Sequence, residues 1–360
     1  MKILHIVPAL DSGGVETGTI DLAIALKKLG HTIVVISSGG KLVEELTKNN
    51  ILHIKLPVNK KSISSVLLIP KIARILEYQS TDIVHASSRV PAWIGFFACK
   101  LSNTPFVTSC HGFYSKHFLS AIMGWGKLVM VISDTIKRRM IEDFKVLETK
   151  IRLVYRGVDL SKYPFYLTKY DAKKESFTVI NIGRLTPLKG QYEFIKAMKL
   201  VLEKIPNLKV LIVGEEKKGS EEYLDKLKAL TKELGVENNV SFLGKRDDIS
   251  ELLSESDCLV LSTNVPEGFG RTIIEAGASG TAVCASNIGG IREIVDNGIS
   301  GLLFEPGDKN DMARNIIKML SDIDLRRKCA INLRKKVEQN FTLDQMVKNT
   351  LSVYEEAIIS

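Results

Sequence analysis

Short, continuous apolar runs alternating with longer amphipathic stretches constrain this chain more than any other feature. In its first half the strand-like runs are Ile3–Val7, Thr32–Ser37, Ile51–Leu56, Ile83–Ala86, Phe106–Ser109 and Leu128–Ser133, with helical patterns over Glu16–Leu29, Leu42–Lys48, Val66–Tyr78 and Ala92–Lys100. Strand and helix in strict alternation imply βαβ units and a parallel sheet. Runs that are apolar throughout, and not at every second residue, imply strands covered on both faces. The polar and aromatic stretch Leu160–Ser176 breaks the pattern and reads as a linker. Alternation then resumes with strands at Thr178–Ile182, Val210–Val213, Val240–Leu243, Leu259–Leu261 and Ala282–Ala285. Helical runs cover Tyr192–Lys204, Glu221–Leu234, Thr272–Ala278, Asp311–Leu320 and Leu343–Ile358. The expectation is an α/β chain of two doubly wound, Rossmann-like domains, residues 1–165 and 166–341. Residues 342–360 form a last helix that packs back towards the first domain. A length of 360 residues suits two cores.

Composition narrows the function classes. The 50 Lys+Arg and 41 Asp+Glu leave a net charge of +9. The excess is local: residues 1–165 hold 22 basic and 12 acidic side chains (+10), residues 166–360 hold 28 and 29 (−1). No run approaches the roughly 18 apolar residues of a membrane span, and the N-terminal Met1–Pro8 reads as a first strand, not a signal peptide. The five cysteines, Cys99, Cys110, Cys258, Cys284 and Cys329, are scattered and form no C-x-x-C pair. They read as buried thiols of a reducing cytosol, with no zinc site or disulfide framework.

Ligands of open α/β sheets bind beyond the carboxyl ends of the strands, so the first residues after each strand matter most. After the first strand, Gly13-Gly14-Val15-Glu16 opens a helix, where paired glycines let backbone N–H groups approach an anion. A dinucleotide fingerprint is excluded, because G-x-G-x-x-G is absent and no acidic residue ends the second strand. After the fifth strand comes His111, placed to orient a substrate or act as a base; the other five histidines read as structural. After the first strand of the second half, Gly183-Arg184-Leu185-Thr186-Pro187-Leu188-Lys189-Gly190 sets an Arg and a Lys on one tight loop before a helix, a natural grip for a diphosphate. Pro266-Glu267-Gly268-Phe269-Gly270-Arg271-Thr272-Ile273-Ile274-Glu275 follows a strand and enters a helix, with Glu267 on the loop and Glu275 about one turn into the helix. One carboxylate can read sugar hydroxyls and the other a ribose diol, while free N–H groups meet phosphate. Two carboxylates also suit a glycosidase, but the neighbouring Arg184 and Lys189 imply an anionic leaving group. Asp322-Ile323-Asp324 mimics a metal-binding D-x-D yet reads as a helix cap.

Taken in order, Gly13–Glu16, His111-Gly112, Val131-Ile132-Ser133, Arg156-Gly157-Val158-Asp159, Gly183-Arg184 with Lys189-Gly190, the E-x7-E pair Glu267 and Glu275, Gly289-Gly290, Gly301–Leu303 and Glu305–Asp308 resemble the retaining, two-domain (GT-B fold) glycosyltransferases of family 4. The resemblance covers essentially the whole chain. It departs at Arg156, where the family usually reads Asn-Gly-Val. The resemblance implies that Arg184 and Lys189 grip the donor diphosphate and that Glu275 holds the ribose. It puts Glu267 beside the transferred sugar, with Gly268, Phe269 and Gly270 supplying backbone contacts. Gly13, Gly14 and Gly183 join the donor loops, and His111 faces the acceptor side near the anomeric centre. It implies no cofactor and no metal, a nucleotide-diphosphate sugar as donor, and retention without a covalent enzyme intermediate. Base recognition is expected around Gly244, Lys245 and Arg246. Ser88–Trp93 with Thr108–Tyr114 resemble the subgroup that builds lipopolysaccharide core, implying a glycan or lipid-linked acceptor. The cations Lys60, Lys61, Lys71 and Arg74 then form an acceptor or membrane surface, and the chain is expected in the cytoplasm, peripheral to the cytoplasmic face of the inner membrane. A same-fold epimerase or phosphorylase is the alternative. A nucleic-acid binder is the remote one, since no stacking aromatics interleave the cations. The sequence names neither the sugar, the nucleotide nor the oligomeric state.

Overall fold

The computed structural model describes residues 1–11, 13–166, 170, 176–216 and 222–359, which form two compact units. Unit 1 is Met1–Gly157 with Leu343–Ser360; unit 2 is Val158–Thr342.

Unit 1 runs β1 (Lys2–Ile6), α1 (Gly14–Lys28), β2 (Thr32–Ser37), α2 (Val43–Lys48), β3 (Leu52–Lys55), α3 (Leu68–Gln79), β4 (Ile83–Ala86), α4 (Arg89–Ser102), β5 (Phe106–Cys110), β6 (Leu128–Val131), α5 (Asp134–Phe144) and β7 (Ile151–Leu153). Its seven parallel strands lie in the order β3-β2-β1-β4-β5-β6-β7. Leu4 pairs with Val34 on one side and Val84 on the other, and all three side chains are buried, as the continuous apolar runs require. Ser133 ends the Val-Ile-Ser run as the N-cap of α5, its hydroxyl accepting from the Ile136 N–H at 3.1 Å.

Unit 2 runs β8 (Phe177–Ile182), α6 (Gln191–Leu202), β9 (Leu208–Val213), α7 (Glu222–Glu233), β10 (Val240–Gly244), α8 (Ile249–Glu255), β11 (Cys258–Leu261), α9 (Arg271–Ala278), β12 (Ala282–Ser286), α10 (Ile291–Ile294), β13 (Leu302–Phe304), α11 (Lys309–Ser321) and α12 (Ile323–Asn340). The six parallel strands are ordered β10-β9-β8-β11-β12-β13 around a core from Val179 and Phe194 to Ile316 and Cys329. Asp308 caps α11 through the Asn310 and Asp311 amides, and Asp322 caps α12 through Leu325 at 2.9 Å, so the D-x-D triplet serves as a helix start. Among the described residues, no three or more His, Cys, Asp or Glu side chains cluster as metal ligands would.

The chain then returns to unit 1 as α13 (Leu343–Ile359), whose Met346, Val347, Val353, Tyr354 and Ala357 join the core of α1 and the sheet. Including this helix lowers the unit's charge, 22 basic against 14 acidic side chains giving +8, and leaves +1 on unit 2.

The boundary corrects the linker reading. The division falls at Gly157, and what is described of Leu160–Ser176 packs within unit 2. Phe165 lies under the Arg334 guanidinium, 5.2 Å from its ring centre, and the Tyr170 hydroxyl donates to the Gly280 carbonyl at 2.7 Å. The other residues of that stretch, 167–169 and 171–175, lie outside the described residues.

Candidate active site

Both sheets change winding direction once. In unit 2 the chain moves outward from β8 through β9 to β10, then restarts at β11 and moves the other way. Loops leaving β8 and β11 diverge from that point, which opens the crevice where such sheets bind ligands. The β8 loop is Gly183–Gly190 and the β11 loop Ser262–Gly270, the two segments that sequence reasoning singled out.

The structure joins the two loops. The Ser262 hydroxyl donates to the Lys189 carbonyl at 2.9 Å, Thr263 Oγ1 to the Leu188 carbonyl at 3.1 Å, and the Asn264 N–H to the same carbonyl at 3.0 Å. The approach is so close that a Cβ on Gly190, with φ +66°, would stand 1.9 Å from the Ser262 carbonyl oxygen. Gly214, after β9, presses as closely on Gly183, its added Cβ 1.9 Å from the Gly183 oxygen. Within this frame the Lys189 ammonium pairs with the Glu267 carboxylate, so two residues expected in one site are in direct contact. Arg184 is exposed on the same loop, and no described residue is bonded to its guanidinium. Glu275 is 9% exposed in α9 and accepts from Arg271 Nε at 2.8 Å. Gly270 caps α9, while Gly268 and Phe269 are buried, the Phe269 ring edge-on to Phe341 at 5.5 Å. Phe269 therefore anchors the loop through its side chain. Gly289 and Gly290 back it, the Gly290 N–H donating to the Glu267 carbonyl at 2.9 Å. Gly244, Lys245 and Arg246 sit at the end of the edge strand β10, with Arg246 Nε donating to Asp248 at 2.7 Å.

Unit 1 has its own winding reversal between β1 and β4. Gly13 and Gly14 stand there at the start of α1; Ser12 beside them lies outside the described residues. Arg156, at the family's Asn position, donates from Nη2 to the Gly14 carbonyl and lies so near Gly18 that a Cβ there would meet its guanidinium. His111, just past β5, shares a 2.6 Å hydrogen bond between its Nε2 and Ser109 Oγ. Its Nδ1 is buried and has no protein partner. Burial first, and then the Arg156 charge, hold the imidazole well below its usual pKa, so it is neutral at pH 7. A cavity of about 30 Å³ with Ser87, Ser109, His111 and Arg156 on its wall lies beneath, room for about one water. Lys60, Lys61, Lys71 and Arg74 are all exposed. The last two lie on α3, with the exposed Val66, Leu67 and Tyr78 on the same segment.

Sequence reasoning missed several contributors. Ser262 and Gly214 each follow a strand in the C-terminal half, and Ser87 follows β4, so the strand-end rule marks them. His5 and His85, expected to be structural, belong to a hydrogen-bonded chain with Tyr354 and Ser109 that reaches His111. Nothing in the sequence pairs Tyr354 with strands more than two hundred residues away.

Residues 164–336 match the family described as glycosyl transferases group 1, and residues 12–162 match glycosyltransferase family 4. Among solved structures, a glycosyltransferase from Rickettsia africae ESF-5 is 34% identical with a TM-score of 0.88, covering 99% of this chain and 98% of its own. Anabaena Alr3699/HepE, solved in complex with UDP, is 25% identical with a TM-score of 0.88 over 99% of this chain and all of its own. Among characterised relatives, the Escherichia coli UDP-Gal:alpha-D-GlcNAc-diphosphoundecaprenol alpha-1,3-galactosyltransferase is 26% identical over 80% of this chain and 78% of its own.

Proposed function

The chain belongs to the group 1 glycosyltransferases of family 4, and from that premise we propose that it moves a sugar from a nucleotide-diphosphate donor to a glycan or lipid-linked glycan of the cell envelope, with retention and without a metal. The observation that carries this reading is the contact of Lys189 with Glu267 between two loops at the winding reversal of unit 2, with Arg184 on the first of those loops and Glu275 in the helix that the second one enters. Breaking the bond from sugar C1 to phosphate places positive charge on the ring and negative charge on the departing diphosphate. Arg184 and Lys189 supply the cations for the second, which is the work a divalent ion does in metal-dependent enzymes. In the free protein Glu267 neutralises Lys189. An arriving diphosphate competes for that ammonium and releases the carboxylate towards the sugar hydroxyls. Glu275, held against Arg271, receives the ribose diol. His111 faces the acceptor side. The leaving phosphate oxygen takes the acceptor proton on the face it leaves, which gives retention without an enzyme-bound sugar.

Uridine diphosphate sugars are the first donors to test, since UDP is the nucleotide of the Anabaena structure and of the E. coli relative. Thermal shift identifies the donor, and transfer of labelled sugar to an undecaprenyl-diphosphate glycan in EDTA tests the reaction. Lys189→Ala should lower kcat by about 10²–10³-fold, the usual loss of one preorganised donor to a developing anion. Full activity of Lys189→Ala, or activity only with added Mg²⁺, overturns the reading; interconversion of free sugar nucleotides would favour an epimerase.

The acceptor explains the charge of unit 1. No described helix is long and apolar enough to cross a membrane. The α3 segment, with Lys60, Lys61, Lys71 and Arg74 beside exposed Leu67 and Tyr78, suits an anionic bilayer surface on the cytoplasmic side. Cosedimentation with anionic vesicles that high salt abolishes would support this contact, and indifference to anionic lipid would refute it.

A further inference from the structure

Five polar side chains form an unbroken hydrogen-bonded chain in unit 1, all buried except at the His111 end. His5 Nε2 lies 2.9 Å from the Tyr354 hydroxyl, and that hydroxyl lies 2.8 Å from His85 Nδ1. His85 Nε2 is 2.8 Å from Ser109 Oγ, which is 2.6 Å from His111 Nε2. Ser109 also directs its hydroxyl at Ser87 Oγ, 3.1 Å away. The chain draws on β1, β4, β5 and α13, and His5, His85, Ser87, Ser109 and Tyr354 are each at most 7% exposed.

Counting hydrogens fixes the direction of every bond. Burial keeps His5, His85 and His111 neutral at pH 7, so each carries one N–H and one lone pair. Burial likewise keeps the Tyr354 phenol protonated. Ser109 has a single hydrogen, and it goes to Ser87. Ser109 must then accept from both histidines, so His85 and His111 both carry their protons on Nε2. His85 Nδ1 is therefore a bare lone pair and takes the Tyr354 O–H, and Tyr354 in turn accepts from His5 Nε2–H. No other arrangement satisfies all five contacts with Ser109 donating to Ser87. It also leaves the unpartnered Nδ1 of His111 as a lone pair, cheaper to bury without a partner than an N–H.

We propose that Ser109, oriented by Ser87 on one side and by the Tyr354–His85 pair on the other, holds His111 with its proton on Nε2, so that Nδ1 can only accept a hydrogen bond from a bound sugar or acceptor hydroxyl. Ser87, Ser109, His85 and Tyr354 are positioning residues, acting through His111. The proton on Nε2 is spent on Ser109, and Nδ1 has none, so His111 serves as an acceptor and not as the general acid. The functional part rests on the reading of His111 as a substrate-facing residue; the tautomer itself does not.

The test is ¹⁵N NMR of full-length protein labelled only at its six histidines, with wild type compared to Ser87→Ala and Ser109→Ala. Wild type should show His111 as one tautomer, with protonated Nε2 and pyridine-type Nδ1. Ser87→Ala frees the Ser109 hydrogen to turn towards a histidine, and Ser109→Ala removes the acceptor, so both should give mixed tautomers. In both, kcat should fall about tenfold with the donor KM unchanged. If Ser109→Ala does not fold, Ser87→Ala carries the test alone. A protonated Nδ1 in wild type, or a His111 signal indifferent to the variants, overturns the proposal. A changed tautomer with unchanged kcat overturns its functional half. Absence of any glycosyl transfer would defeat the proposed function while leaving the tautomer assignment standing.

Discussion

Replacing Gly190 by alanine tests whether the loops after β8 and β11 are held as closely as described. Gly190 has φ +66°, where a side chain costs about 1–2 kcal/mol. The new Cβ would stand 1.9 Å from the Ser262 carbonyl oxygen and 3.1 Å from Asn264 Oδ1. The first of these is backbone at the end of β11 and cannot rotate away, so the loops must part, at the roughly 1–3 kcal/mol typical of overpacking. A total of about 2–5 kcal/mol lowers the melting temperature of a unit this size by roughly 5–15 °C. Gly235 supplies the control: its φ is +65° and nothing lies within 4 Å of an added Cβ, so Gly235→Ala meets the conformational cost alone, a few degrees. Calorimetry of the two variants, with donor titrations alongside, separates crowding from backbone strain. Parting the loops also moves Lys189 away from the position proposed for gripping the diphosphate, so Gly190→Ala should weaken donor binding while Gly235→Ala leaves it intact. Equal melting temperatures for the two variants, or native donor affinity in Gly190→Ala, would refute the reasoning.

Glu275→Gln keeps the shape but loses the charge that Arg271 and the expected ribose share. Donor dissociation constants by calorimetry should rise about 10- to 100-fold, the range for a hydrogen bond to a charged group, and an unchanged constant would remove Glu275 from the site. Acid should destabilise unit 1. His5 is held at about 4 against 6.5 unfolded, so between those values the unfolded chain binds the extra proton and stability falls with falling pH, levelling off below 4 and above 6.5. His5 alone accounts for about 3 kcal/mol, with His85 and His111 shifted in the same direction. The two tryptophans, Trp93 and Trp125, both lie in unit 1, so their fluorescence in urea at pH 7.5 and 4.5 reads this loss, and equal midpoints would contradict it. All five thiols are buried and burial raises those of Cys99, Cys110, Cys284 and Cys329. Alkylation of the native chain should therefore be slow and complete only after unfolding, and rapid labelling would show an exposed thiol.

What the sequence made legible follows from burial. The central strands were readable because both faces are covered, which makes their apolar runs continuous. The edge strands β7 and β13, Ile151–Leu153 and Leu302–Phe304, are too short to register as runs. Helix α5 escaped because Asp134–Phe144 buries only Ile136 and Met140, and α12 because its exposed face is heavily charged. The Leu160–Ser176 stretch looked like a linker because its aromatics lack helical spacing. Phe165 and Tyr170 nonetheless find partners at Arg334 and Gly280, contacts without any periodicity. Candidate site residues were legible wherever they directly follow a strand. Pairings between distant segments were not: neither the Lys189–Glu267 contact nor the chain from Tyr354 to His111 leaves a local trace.

Position after a strand is informative for a physical reason that both units share. At β1/β4 and at β8/β11 the winding reverses, so the connecting segments diverge and a crevice opens beyond the strand ends, as open α/β sheets do at such a point. Backbone groups there have no ladder partner, and glycines allow the closest approaches, as Gly190 does to Ser262 and Gly214 to Gly183. The two units then diverge in what they place at that point. Unit 2 places opposite charges, Lys189 with Glu267 and Arg271 with Glu275, on a frame that carries almost no net charge. Unit 1 places neutral, buried imidazoles there, and keeps its surplus of eight positive charges elsewhere on the unit, including the exposed α3 cations. The return of α13 reduces that surplus by supplying three carboxylates and one lysine, and one of the carboxylates, Glu356, is tied to Arg152 at 2.8 Å. Charge at the unit 2 site is thus poised to be exchanged for a ligand's charge. In unit 1 His111 is instead held by burial and by a hydrogen bond to Ser109, with the Arg156 charge nearby, and the surplus cations lie elsewhere on the surface.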